Sequence, residues 1–262
     1  MDIRKTYAIE LGTPAVYSLV LAGCGGTGSF LALHLARLAY HARETRGLDV
    51  QVTLVDPDHV EPGNLGRQNF CPAELGRPKA LALMARYNRA FGLAWSAFVG
   101  RFDPEMAPHR GCFNLFIGCV DNAAARADLQ RAVGRGGGSQ WWLDCGNHEH
   151  AGQVLLGNRV DLKTPEISPL GFCAGLPAPS IQHPELLQAP PVLEVDAPAP
   201  GCTELLAAGA QSLMINQAIA GLAAAYIARL ILGRLDIYAS YIDLATGSMR
   251  SLPITGGAGE GG

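Results

Sequence analysis

The sequence lacks the features that mark several broad protein classes. It contains no run of lysine and arginine, and a net charge of −3 with a pI near 6.2 leaves no basic surplus, so we do not expect a direct nucleic-acid partner. No C-x-x-C pair is present, and the seven cysteines form an odd set without the spacing of a secreted disulfide framework. This pattern disfavours a four-cysteine zinc site and indicates a reducing, cytoplasmic environment.

Long uninterrupted apolar segments are also missing. The first residues, MDIRKTYAIELGTP, hold no apolar core of a signal peptide. In the apolar segment 203–233, the longest stretch free of glutamine, asparagine and arginine is eleven residues, which is short of the ~20 that cross a bilayer. We therefore expect no membrane association and interpret this segment as a buried or dimer-facing helix.

What the sequence does contain is a glycine-rich turn between a predicted strand and a predicted helix. A short apolar run at 19–22 is followed by GCGGTG, and an amphipathic run begins directly after it. Glycine permits backbone angles that are closed to other residues, and a helix N-terminus offers free N–H groups to an anion. We expect a nucleotide phosphate site here, although glycines that only allow close packing of helix on strand would give the same pattern.

Acidic side chains follow two of the predicted strands. Asp56 ends a strand over 50–55, and Asp121 follows the apolar run 113–120, which is typical of a parallel strand buried on both faces. The carboxyl ends of parallel strands meet at one edge of a sheet, where ligands bind in open α/β folds. We expect both carboxylates at that edge, with Asp56 in reach of ribose hydroxyls.

Lys79 opens another predicted helix, directly after Arg77 and Pro78. Proline suits the first helical turn, but a lysine there opposes the helix dipole. Lys79 is therefore either a solvated surface residue or a phosphate ligand that offsets the mismatch. The polar segment 56–70, DPDHVEPGNLGRQNF, precedes it, where a simpler fold would often have a short loop.

The order of elements predicts an α/β fold, a Rossmann-like doubly wound and mostly parallel sheet extended by antiparallel C-terminal strands. Further strands are expected at 95–99, 141–145 and 153–156, with a terminal hairpin over 236–253. We expect one domain over 1–262. Its parts are a nucleotide-binding half at 15–160, a Pro-rich crossover loop at 161–201, and a long helix, hairpin and flexible tail at 202–262.

Four blocks, in this order, resemble the ThiF/MoeB/HesA family, the bacterial relatives of ubiquitin-activating enzymes: GCGGTGS, LVDPDHVEPGNLGRQNF, LGRPKA and GCVDN. The short chain is most similar to the ThiF-family member of PRTRC (ParB-related, ThiF-related cassette) systems. The resemblance implies a homodimer that uses ATP and Mg²⁺ to adenylate the C-terminal glycine of a small ubiquitin-like or sulfur-carrier protein.

The resemblance also implies roles for individual side chains. Arg67 and Lys79 would meet the charge on the ATP phosphates, since guanidinium and ammonium groups suit phosphate oxygens. Asp121 would bind Mg²⁺, which commonly uses one or two carboxylates together with phosphates, and Asp56 would hold the ribose. The remaining nucleotide contacts would come from Gly23, Gly25, Gly26, Gly28, Asn64, Gln68 and Asn122.

The resemblance further implies transfer of the acyl group to a cysteine. Cys202 follows the Pro-rich segment and opens the long helix, whose N-terminus would lower the thiol pKa. A small buried residue at a helix start is an equally good interpretation of Cys202, and Cys173 is the alternative thiol. The other five cysteines are interpreted as core residues. In family members an N-terminal arginine reaches the partner's phosphates, but here only Arg4 and Lys5 precede the first strand.

Two other functions fit parts of the pattern. An NAD-dependent oxidoreductase would use the glycine turn and Asp56 equally well, but it leaves Arg67, Lys79 and Asp121 unexplained. A catalytically quiet docking module would keep the fold and bind a protein partner. The intact set of arginine, lysine and aspartate argues against that alternative.

Overall fold

The computed structural model describes residues 5–12, 14, 16–106, 112–188 and 202–256, and the side chains of 202–213 lie outside the description. The strands are β1 Val16–Ala22, β2 Asp49–Val55, β3 Ser96–Phe98, β4 Phe113–Gly118, β5 Gln140–Asn147, β6 Ala151–Gly157, β7 Glu166–Ile167, β8 Cys173–Gly175, β9 Ile237–Asp243 and β10 Ser248–Pro253. The α-helices are α1 Gly26–Arg46, α2 Lys79–Phe91, α3 Ala123–Arg135, α4 Pro179–Gln182 and α5 Cys202–Leu232.

The main sheet confirms the predicted fold class. Its strand order is β10-β9-β6-β5-β4-β1-β2-β3. Five neighbouring strands pair in parallel, in the spatial order β5, β4, β1, β2 and β3. The strands β6, β9 and β10 extend the sheet beyond β5 in antiparallel register. Because the chain moves outward in one direction from β1 and in the other from β4, these neighbouring strands form the topological switch point at which open α/β sheets bind ligands.

Helices cover both faces of the sheet. On one face α1 packs against α5 and α2, and their buried side chains join those of β1, β2 and β4 in the larger core. On the other face α3 covers a smaller core that includes Phe116, Leu129 and Trp142. All six residues of β4 are buried, which explains why its sequence is apolar at every position except Asn114 rather than alternating.

The long helix α5 differs from its sequence interpretation in one respect. Its segment Met214–Leu232 has a mean hydropathy of 1.5 and is long and apolar enough to cross a membrane by length and composition, although its polar-free stretch is short. Half of that segment is buried within the fold. Ile215, Ile219 and Ala223 are fully buried in the larger core, so packing against the protein itself accounts for much of the apolar character.

The Pro-rich segment contains more regular structure than a crossover loop. The strands β7 and β8 pair in antiparallel register, α4 follows, and Pro184–Leu187 forms a short 3₁₀ helix. Pro179 and Pro184 each begin one of these helical turns, where a fixed φ and a missing N–H cost nothing. The rest of the segment, 189–201, and the C-terminal tail, 257–262, lie outside the described residues.

Candidate functional site

A cavity of about 850 Å³ lies at the carboxyl ends of the central parallel strands. Its walls are formed by the residues that directly follow β1, β2 and β4, by the first turns of α1, α2 and α3, and by part of the segment 67–68. Three helix N-termini therefore open toward one space, and this arrangement favours an anionic ligand.

The glycine turn forms one wall of this cavity. Gly23, Gly25 and Gly26 line it, and Gly23 has a φ of +90°, a conformation that favours glycine. A Cβ at Gly23 would also lie only 2.4 Å from the carbonyl oxygen of Cys119. The turn is thus held close to the end of β4, and its backbone is exposed to the cavity.

Gly28, which the sequence predicted as a phosphate contact, lies outside the cavity wall. It is absent from the cavity lining, and a Cβ there would lie 1.9 Å from the carbonyl oxygen of Gly23. Glycine at this position lets the first turn of α1 pack directly on the turn that precedes it. The packing interpretation of the motif therefore applies to Gly28, whereas the three earlier glycines face the cavity.

Asp56, which directly follows β2, hydrogen-bonds to the glycine turn. Its two carboxylate oxygens accept backbone N–H groups from Cys24 at 2.6 Å and from Asp58 at 2.8 Å. Burial raises the pKa of Asp56, and these two hydrogen bonds together with the charge of Lys79 oppose the rise. Asp56 lines the cavity, and its remaining lone pairs are those available to a ribose.

Lys79 is not a solvated surface lysine. Its side chain is only 8% exposed, and its Nζ lies 3.1 Å from Oδ2 of Asp58, whose side chain is 65% exposed. A cation buried at the start of α2, with one solvent-exposed partner, faces the cavity. The geometry favours the phosphate-ligand interpretation, because an anion there would offset the unfavourable dipole.

The residues of the N-L-x-R-Q block separate into two groups. Arg67 and Gln68 line the cavity, Arg67 Nε donates to the carbonyl oxygen of Gly63 at 3.2 Å, and Oε1 of Gln68 is buried with no hydrogen-bond partner among the described residues. Asn64 is outside the lining. Its Oδ1 accepts the backbone N–H of Glu61 at 2.9 Å, so in this structure Asn64 stabilises the local turn.

The D-N block sits at the start of α3. Asn122 caps that helix, with Oδ1 accepting the N–H of Ala125 at 2.9 Å, and its Nδ2 donates to Oδ1 of Asp121 at 3.3 Å. Both residues are exposed and line the cavity. The cap engages the oxygen of Asn122, and Asp121 lines the same cavity as Arg67 and Lys79.

Two polar side chains in the cavity wall, those of Asn216 and Arg126, lie outside the four sequence blocks. Asn216 of α5 accepts the hydroxyl of Thr27 at 2.9 Å and the amide of Asn147 at 2.6 Å. Arg126 of α3 pairs with Asp144 of β5, with Nε 3.2 Å from Oδ1. These contacts join residues as far as 189 positions apart in the sequence. The sequence pointed to them only through Asn216, a polar residue within an apolar helix.

The cysteines do not all match their sequence interpretations. The side chain of Cys202 lies outside the described residues, although its backbone begins α5 as expected. Cys173 is 2% exposed and lies outside the cavity lining, and burial raises its pKa to about 12, which argues against a thiolate nucleophile. Cys24 and Cys145 are buried as expected, whereas Cys71 is exposed and is not a core residue.

The donor set of the cavity fits a nucleoside triphosphate with magnesium. Backbone N–H groups of the α1 N-terminus and the cations of Arg67 and Lys79 suit phosphates. Asp121 supplies a hard oxygen of the kind that Mg²⁺ prefers. Across the described ranges, no cluster of three or more His, Cys, Asp or Glu side chains is placed to hold a metal ion by itself, and Mg²⁺ typically completes its shell with substrate phosphates and water.

Fold and cavity together define a Rossmann-like α/β protein with a polar cleft at the strand switch point. The family model described as the ThiF family matches residues 15–255. The chain therefore belongs to the ThiF family.

Solved structures with a similar fold include PaaA and Escherichia coli MccB. PaaA is 14% identical with a TM-score of 0.56, MccB with ATP is 17% identical with 0.58, and MccB with AMPCPP and MccA is 18% identical with 0.57. The matches cover 92%, 92% and 91% of this chain but 64% of each of those proteins, so this chain spans less than two thirds of their length. No curated protein matches the sequence.

Proposed function

We propose that this protein uses ATP to adenylate the C-terminal carboxylate of a small protein, specifically the terminal glycine of a ubiquitin-like or sulfur-carrier protein. The observation that carries the proposal is the meeting of Arg67, Lys79 and Asp121 in one cavity beside the glycine turn. Structures of MccB with ATP, and with AMPCPP and MccA, support a nucleotide and a second substrate on this fold.

Charge logic connects these residues to the reaction. A carboxylate oxygen forms a bond to the α-phosphorus of ATP, and the bond to pyrophosphate breaks. Arg67 and Lys79 would stabilise the negative charge on the phosphate oxygens, and Asp121 would hold Mg²⁺, which neutralises part of that charge when bound. Preorganised donors of this kind contribute about 3–4 kcal/mol each in the best-measured case.

Several finer features belong to the same proposal. Cys202 would accept the acyl group as a thioester, at a helix N-terminus that favours a thiolate. Two copies would form a homodimer, and the protein would act in the cytoplasm as a ThiF-family member of a PRTRC system. These features rest on the sequence blocks described above.

The test is ATP–pyrophosphate exchange with candidate small proteins that end in glycine. We expect Asp121→Ala to reduce exchange by about 10²-fold or more. Asp161→Ala is the matched control, because Asp161 is an exposed carboxylate that pairs with Arg159 outside the cavity lining. Cys202→Ala should keep exchange and lose the thioester. If no candidate supports exchange, the docking-module alternative is favoured.

A further inference from the structure

Arg126 and Asp144 form an ion pair at the inner wall of the cavity. Arg126 lies in the first turns of α3 and lines the cavity, and its side chain is 13% exposed. Asp144 lies on β5 and is completely buried. The guanidinium Nε donates to Oδ1 of the carboxylate at 3.2 Å.

The pair is poorly suited to a purely structural role. Oδ2 of Asp144 is buried and, in the part of the chain that the structure describes, has no hydrogen-bond partner. Burying a carboxylate with a single cation costs as much as the attraction returns, so such pairs are weak contributors to stability. A role outside folding would account for a half-satisfied buried charge at this position.

The fold leaves room for this pair. Gly118 of β4 is directly opposite Asp144 in the parallel register. A Cβ at Gly118 would lie 3.2 Å from Oδ1 of Asp144 and 2.7 Å from Leu129 Cδ1. The small residue at the end of β4 therefore gives the carboxylate space to meet the guanidinium.

We propose that Asp144 is a positioning residue that holds the guanidinium of Arg126 toward the cavity, where Arg126 binds an oxyanion of the reacting groups. Within the described ranges, Nε to Asp144 is the guanidinium's one hydrogen bond, which leaves its terminal N–H groups for a bidentate contact. The oxyanion is a phosphate oxygen of ATP or the attacking carboxylate. This inference rests on the proposed adenylation function.

Protonation of Asp144 supplies a second readout. Burial raises the pKa of Asp144 to about 6, and the charge and hydrogen bond of Arg126 and the charge of His183 oppose that rise. The thiol of Cys119, at the end of β4, also interacts with this carboxylate. Since a protonated Asp144 no longer holds Arg126 by charge, the reaction rate should fall as the pH decreases through about 6.

The experiment is a double-mutant cycle with Arg126→Gln, Asp144→Asn and the double variant. Exchange kinetics give kcat/KM, calorimetric titration with MgATP gives the affinity, and thermal melting checks folding. We expect each single change to lower kcat/KM by about 10²-fold, because misplacement by about 1 Å has that cost. The kcat/KM of the double variant should be no lower than that of Arg126→Gln. In the double variant the two introduced amides can hydrogen-bond to each other without burying a charge. Asp161→Asn is the matched control.

The outcomes separate the possibilities. Additive losses in the cycle, or an acid limb near pH 6 that persists in Asp144→Asn, would overturn the proposal. Weaker MgATP binding by Arg126→Gln identifies a phosphate oxygen, whereas a raised KM for the carrier alone identifies the carboxylate. If the wild-type protein shows no exchange with any carrier, the proposed function fails. In that case the titration tests the phosphate contact of Arg126 by itself. Equal MgATP affinity of wild type and Arg126→Gln would exclude that contact, and the carboxylate contact would lose its basis together with the proposed function.

Discussion

Replacement of Gly28 by alanine distinguishes a packing glycine from a phosphate-binding one. An added Cβ would lie 1.9 Å from the carbonyl oxygen of Gly23, and an ordinary contact begins near 3.4 Å. The first turn of α1 would therefore have to move by about 1.5 Å from a backbone atom that cannot rotate away. Since α1 packs against α5, α2 and the sheet, the shift would spread into the larger core.

The size of the effect follows from two opposing contributions. Overpacking of this kind costs about 3 kcal/mol at the upper end of its usual range, and alanine in place of glycine within a helix returns about 1 kcal/mol. We expect a net loss of about 2 kcal/mol in the free energy of unfolding. In a domain of this size that corresponds to a melting temperature lower by about 4–8 °C. Urea unfolding should show a lower midpoint with an unchanged slope.

Gly221→Ala is the matched control for this prediction. Gly221 lies within α5. Apart from the adjacent backbone of that helix, no atom of the described residues lies within 4 Å of the Cβ that would be added there, so the substitution should stabilise the protein by about 1 kcal/mol. MgATP affinity should also fall in Gly28→Ala, because the neighbouring Gly26 lines the cavity and would move with the helix. Unchanged stability combined with weaker MgATP binding would refute the packing argument and restore Gly28 as a direct ligand.

Three further predictions concern charged side chains. Lys79→Met keeps the volume of a side chain that is 8% exposed, and we expect exchange activity to fall by about 10²-fold or more with stability within about 1 kcal/mol. Arg67→Lys should lower exchange activity, because an ammonium cannot replace a bidentate fork, and MgATP titration should show weaker binding. Glu74→Gln should cost about 2 kcal/mol at pH 7. Burial pushes the pKa of Glu74 upward, but hydrogen bonds from Arg86 and the backbone of Cys71 hold it below the usual value. The loss of stability in Glu74→Gln is therefore present above about pH 4.3 and should disappear as the pH falls below that value. Urea unfolding at several pH values measures this difference.

The parallel half of the fold was predictable because its signals are local. The apolar run of β4, the acid at the end of β2 and the proline before α2 each depend on a few consecutive residues, and all three elements form near the expected bounds. Asp56 and Asp121 meet at one edge because parallel strands share their direction. The segment 161–188 was less predictable, since short strands and single helical turns have weak periodicity.

The sequence by itself determined the order of strands and helices, the glycine turn, and the end of the sheet at which Arg67, Lys79 and Asp121 meet. Only the tertiary structure decided which partner each side chain takes: Lys79 is buried against Asp58, and Gly28 packs on Gly23. Strand and helix periodicity depends on neighbours within a few residues, whereas a side chain's partner depends on how distant elements pack. The pairing of Arg126 with Asp144, across α3 and β5, is of this second kind.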